Sequence, residues 1–345
     1  MIAEGSLLPT VSPASAEMKE QSDLSTNPVQ VTFLGGPLNG THKHHQITEL
    51  SRSNRDLLVI LFSILTLTSL LLNVSIILYV VLKRLYVNFV SSHFIAHLSL
   101  ANSLACIILI PVFIYNLYAD HHLFHGSPAL CMVFGFTTTA IDSVIFYMTT
   151  CVAGVHLLTF ARIHYDQLFG LPPSVCCLLS WVIGFALGLP CLTNNDIINY
   201  DQEYFVCQWQ HTSSGYKFVA YIALLGLLLP MLMTTYAYVR ILGIFYHSPI
   251  VFQALGLYRS RFLVYGFLLL TLSQVPYYVC RFISDAQPIT YPLVLFCSHF
   301  MCIAGPALYG LSLFMMKEED MALTARSHKA GTYTAPGAGP PPQEL

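Results

Sequence analysis

One carboxylate, one guanidinium and a set of imidazoles stand out against an otherwise apolar chain. Asp142 lies eleven residues past Cys131 in a long apolar run. In a helix that is a depth of roughly 16 Å. A charge at such depth in a bilayer costs about 2.5–3.5 kcal/mol on insertion scales. Asp142 is therefore expected to face a protein interior with a partner, and His299 and Gln274 are candidates. A carboxyl there either ties helices together by hydrogen bonding or acts as counter-ion in a ligand or switch cavity. Arg281 offers a fixed fork of donors suited to carboxylate or phosphate, with Tyr277 and Tyr278 close in sequence. The plainer alternative is an interfacial Arg that snorkels and pairs with Asp285.

Of the 14 histidines, His42, His44, His45, His121, His122, His125 and His211 fall in polar segments. Imidazole titrates near neutral pH and binds zinc, so proton or zinc sensing stands beside the plain alternative of solvated loop residues. His93 and His97 share a helical face at i, i+4 and are expected to pack. No nucleophile–base–acid set and no paired intramembrane protease motif is found. An enzyme is not expected, and neither is a cofactor or a metal centre.

The elements that must position these groups are long and apolar. Seven stretches, 56–83, 88–118, 129–160, 173–193, 215–244, 260–284 and 289–315, each reach the ~20 residues needed to cross a bilayer as a helix. The chain has 345 residues, 55% hydrophobic and 9% charged, with a mean hydropathy of +0.63. A soluble domain carries about 25% charge. The deficit fits lipid as solvent, where backbone groups must pair within helices. Alternating ten-residue segments of a membrane barrel are absent. Net charge near zero with no basic run argues against nucleic acid. The fold class expected is an all-α membrane protein, a seven-transmembrane helix bundle. Residues 1–55 form a polar tail with no signal-peptide pattern, 56–315 the bundle, and 316–345 a second polar tail.

Basic residues set the orientation. One side holds Lys83, Arg84, Arg162, Arg240, Arg259, Arg261, Lys317, Arg326 and Lys329; the other holds Lys217 and Arg281, with Arg52 and Arg55 just before the first span. The positive-inside rule then places the N-terminus outside and the C-terminus inside. The sequon at Asn39 would face the lumen and accept a glycan. Ten cysteines are present, and Cys106, Cys151, Cys176, Cys177, Cys191, Cys280, Cys297 and Cys302 fall inside apolar stretches as small packing residues. Cys131 and Cys207 instead face the oxidising side, where disulfides persist.

Over 51–320 the chain resembles the rhodopsin-like (class A) G-protein-coupled receptors, closest to the branch of nucleotide and lipid receptors. The landmarks run one set per helix: Asn73, Leu98 with Ala101, Trp181 and Pro190, Pro230 with Tyr238, Pro276 with Tyr277 and Tyr278, and Pro306-Ala307-Leu308-Tyr309. The resemblance implies a Cys131–Cys207 bridge pinning the 194–214 loop over the bundle mouth. It also implies hinges at Pro230, Pro276 and Pro306. Aminergic relatives carry their amine-binding Asp at the position of Thr138, which argues against a biogenic amine. The implied ligand-facing set is Thr138, Asp142, Gln274, Tyr277, Tyr278, Arg281 and His299, open to an anionic ligand through Arg281.

The switch positions depart from that family. The Arg that meets the G protein is His156, the sodium-site Asp is Asn102, the helix-six Trp is Gln274, and the Asn before Pro306 is Gly305. With Tyr238, Pro276 and Tyr309 these form the expected coupling set. The resemblance implies a plasma-membrane receptor for an extracellular ligand, coupled to a heterotrimeric G protein. Arrestin would be recruited through Thr324, Ser327, Thr332 or Thr334. The altered switch implies a weakened inactive state and high basal activity. The alternative is a receptor-shaped binding, scaffold or co-receptor protein without signalling. Internal repeats of a transporter and polar rings of a channel are not found.

Overall fold

The structure, a computed structural model, describes residues 52–118, 123–124, 127–161, 163, 165, 170–201, 206–210, 212–247, 261–276 and 300–313. The described residues are about 88% helical. Helix α1 is Arg52–Leu82. Helix α2 is Val90–Leu104, continued by a π-helical turn at Ala105–Leu109 and by Ile110–Tyr118. Helix α3 is Pro128–Ala161, and α4 is Pro173–Gly188, extended by Pro190–Thr193. A hairpin of β1 (Ile198–Asp201) and β2 (Val206–Trp209) follows. Helix α5 is Ser213–Tyr221, a π-helical segment Ile222–Leu228, and Leu229–His247. Helix α6 is Arg261–Leu272 and α7 is Phe300–Leu313. Helices α1 to α5 are long and apolar enough to cross a membrane, and α6 and α7 are shorter apolar helices. The chain is a helical membrane protein. The stretches expected at 260–284 and 289–315 lie only partly within the described residues.

Local sequence explains the breaks. Pro128 and Pro173 open α3 and α4, where a missing N–H leaves nothing unpaired. Thr212 caps α5, its hydroxyl accepting from the Gly215 N–H at 3.0 Å. Both π segments precede a proline, Pro111 and Pro230. In a π turn the carbonyl of Leu225 looks for the N–H five residues on, which is Pro230 and has none. The Tyr147 hydroxyl donates to that carbonyl instead, at 2.8 Å.

Helix α3 is the packing centre, touching α2, α4 and α5. Two glycines on α4 permit close approach. A Cβ at Gly188 would sit 2.8 Å from the Phe136 carbonyl, and one at Gly184 would overlap Val144. The Trp181 indole N–H donates to His97 Nδ1 at 3.2 Å, tying α4 to α2, and His93 bonds the Tyr86 carbonyl at 2.8 Å. The histidine pair is packed, as its spacing suggests. Free Cys106, Cys177, Cys191 and Cys302 are buried; Cys151 and Cys176 are half-buried.

Pro306 leaves the Cys302 carbonyl without its intrahelical donor. Ser69 Oγ and Asn73 Nδ2 from α1 supply two bonds to it, at 2.9 and 3.0 Å. Removing one donor by Asn73→Ala is expected to cost about 1 kcal/mol. Ser69→Ala with Asn73→Ala orphans a buried carbonyl and is expected to cost about 1–3 kcal/mol. Thermal denaturation in detergent measures both; an unchanged midpoint in the double variant refutes the tie.

Candidate functional site

The hairpin and α3 are joined covalently. Cys131 at the start of α3 bonds Cys207 in β2, with a Cα–Cα distance of 5.5 Å. In the hairpin Ile198 pairs with Trp209 and Tyr200 with Cys207. Gly135 makes room for the roof, since a Cβ there would overlap the Ile198 side chain. Phe124, Cys191, Ile197, Ile198 and Phe218 bury together beneath this cover.

Below the hairpin lies a cavity of about 30 Å³. At 10–15 Å³ per water, that is room for about two or three waters. One wall is α3, with Thr139, Asp142, Ser143 and Phe146. The opposite wall is the π segment of α5, with Ile222, Ala223, Gly226 and Leu227, closed by Phe218 and Val219 above. Ile198 and Trp209 form the roof. Asp142 is the one ionisable side chain among the described lining residues, and it is half-buried. Ser143 is only 2% exposed. The Thr139 hydroxyl is buried, 4.0 Å from Cys191 Sγ. The chemistry available is hydrogen bonding by three polar α3 side chains beside a greasy wall.

The other end of the bundle is closed by aromatic rings. His156, 2% exposed, sits with its ring 5.4 Å from Phe267 and 6.3 Å from Tyr238. Phe267 stacks on Tyr238 at 5.3 Å and on Tyr309 at 4.6 Å, so one ring from α6 joins α3, α5 and α7. His156 Nε2 has no hydrogen-bond partner among the described residues. Midway, the Thr150 hydroxyl lies 3.0 Å from both the Pro230 carbonyl and the Thr234 hydroxyl, linking α3 to α5.

The structure thus places Asp142 in the cavity and gathers His156, Tyr238 and Tyr309 at the far end. Thr138 does not line the cavity; its hydroxyl bonds the Phe134 carbonyl of its own helix at 2.9 Å. Its neighbour Thr139 takes the lining position. Gln274 is buried at the end of α6, Pro276 is exposed, and Asn102 accepts from the Cys302 thiol at 3.8 Å. Gly305 packs loosely against Leu270 and Tyr309. Asn39, Tyr277, Tyr278, Arg281 and His299 lie outside the described residues, as do the tail hydroxyls from Thr324 to Thr334. Sequence reasoning missed Thr139, Ser143 and Trp209. The i, i+3, i+4 spacing of Thr139, Asp142 and Ser143 was the available signal for the first two.

No family model matches the chain, and no curated protein matches it.

Proposed function

We propose that the chain is a seven-helix receptor of the rhodopsin-like kind, with its N-terminus outside the plasma membrane and its C-terminus inside. An extracellular ligand enters beneath the disulfide-held hairpin. The signal passes along α3 and α5 to the aromatic closure around His156, where a heterotrimeric G protein is met. The observation that carries this reading is that one helix, α3, bears both ends. It holds the cavity oxygens Thr139, Asp142 and Ser143 and, further along, His156 under Phe267. Such a bundle works as a switch when a ligand favours one of two packings separated by a few kcal/mol.

A second reading, a binding or co-receptor protein that does not signal, draws on His156 itself. An imidazole buried in an aromatic stack stands where the resembling receptors present a guanidinium to their G protein. The test expresses the chain and a His156→Arg variant at matched surface levels and records basal cAMP, calcium and arrestin recruitment. A receptor shows basal output above mock cells that changes in the variant. Silence in both forms overturns the receptor reading and leaves the scaffold.

A further inference from the structure

We propose that Cys106 and Cys302 form a reversible disulfide that clips α2 to α7 when the protein meets a peroxide. The proposal needs only the packing of α1, α2 and α7, not the receptor reading.

The two thiols already face one another. Cys106 is 0% and Cys302 5% exposed, and they share a hydrogen bond between the helices. One polar pocket holds both. The Cys106 thiol donates to Ser69 Oγ at 3.1 Å, and that hydroxyl in turn donates to the Cys302 carbonyl at 2.9 Å. The Cys302 thiol is turned toward Asn102 Oδ1, 3.8 Å away, and Asn102 stands one helical turn before Cys106. Phe62, Leu65, Ile110 and Phe146 bury the pair on its apolar sides.

The backbone is irregular at both ends of the link. Bonded sulfurs sit about 2.05 Å apart, so hydrogen-bonded thiols must close in. Cys106 lies in the π-helical turn Ala105–Leu109. Cys302 lies four residues ahead of Pro306, where the helical ladder lacks a donor. Neither sulfur is carried by a regular α-helical turn that would resist the adjustment.

The oxidant is a small neutral peroxide, hydrogen peroxide being the simplest, because a charged reagent is disfavoured in a site this dry. One thiol sulfur attacks the O–O bond, giving a sulfenic acid and one water. The second sulfur then displaces hydroxide from the sulfenic acid, and the hydroxide leaves with the second thiol's proton as another water. Two electrons pass from the sulfurs to the peroxide oxygens. The product is uncharged, which suits this interior better than a metal dithiolate. Among the described residues no three His, Cys, Asp or Glu side chains gather as a metal set.

The full chain in lipid nanodiscs is treated with hydrogen peroxide, its remaining thiols are alkylated, and digests are mapped by mass spectrometry without reduction. The expected result is a peptide pair joined through Cys106 and Cys302, returned to free thiols by dithiothreitol. Oxidation is also expected to raise the thermal midpoint, since a bridge between distant positions constrains the unfolded chain. Cys302→Ala and Cys106→Ala, made separately, are each expected to lose the linked pair and the rise. Cys177→Ala, which removes a buried thiol elsewhere in the bundle, is expected to keep both. Recovery of Cys106 and Cys302 as free thiols or as separate sulfinic acids overturns the proposal. So does a rise of equal size in Cys302→Ala. Because the peptide map is read on the unsubstituted chain, it decides the matter even where an alanine variant fails to fold.

Discussion

Cys207→Ser is expected to destabilise the protein by about 4 kcal/mol, on the loop-entropy estimate for a bridge spanning 76 residues. The bridge closes a loop containing nearly all of α3, all of α4 and β1, so its loss frees the unfolded chain more than a short clip would. The folded state also suffers, because Cys131 and Cys207 are both buried against Ile198 and Phe218. Thermal denaturation of detergent-extracted protein measures the loss. The double variant Cys131→Ser with Cys207→Ser is expected to match the single one, since a leftover thiol adds nothing. A midpoint equal to that of the wild type would mean that packing of the hairpin, not the bond, holds the roof.

Phe267→Ala is expected to cost about 3–5 kcal/mol, the range for removing a buried aromatic ring. Phe267 is 2% exposed and stacks on rings from α5 and α7, and such pairs add about 0.5–1.5 kcal/mol beyond area. Phe262, on the same helix and 79% exposed, is the control; its alanine variant is expected to stay within about 0.5 kcal/mol. The same substitution removes the ring that covers His156. Hydrogen exchange in Leu229–His247 should therefore accelerate in Phe267→Ala and not in Phe262→Ala. Equal exchange in the two variants would refute the ring as the closure of this end.

The helices were legible because lipid-facing segments leave long apolar runs. Pro128, Pro173 and Thr212 mark helix starts in the sequence as they do in the structure. Cys131 and Cys207 were legible as the pair outside the apolar packing set. The π segments were not. Helices apolar on every side lose the 3.6-residue pattern that would betray an inserted residue. Only the prolines after them, Pro111 and Pro230, gave a cue. The hairpin strands are four residues each, too short to separate from loop. One residue of helical phase, about 100° around the axis, separates Thr138 from Thr139, which lines the cavity.

The π segment of α5 has a consequence for how the helix is phased. Phe218, Gly226 and Pro230 are all buried. In an uninterrupted α-helix positions 218 and 230 would point about 120° apart. One surplus residue between them takes back about 100° of that rotation. The inserted residue works as a phase corrector: it lets α5 present a single face along its whole length, with the cavity wall at one end and Tyr238 at the other. Deleting it would leave both halves helical and aim them in different directions.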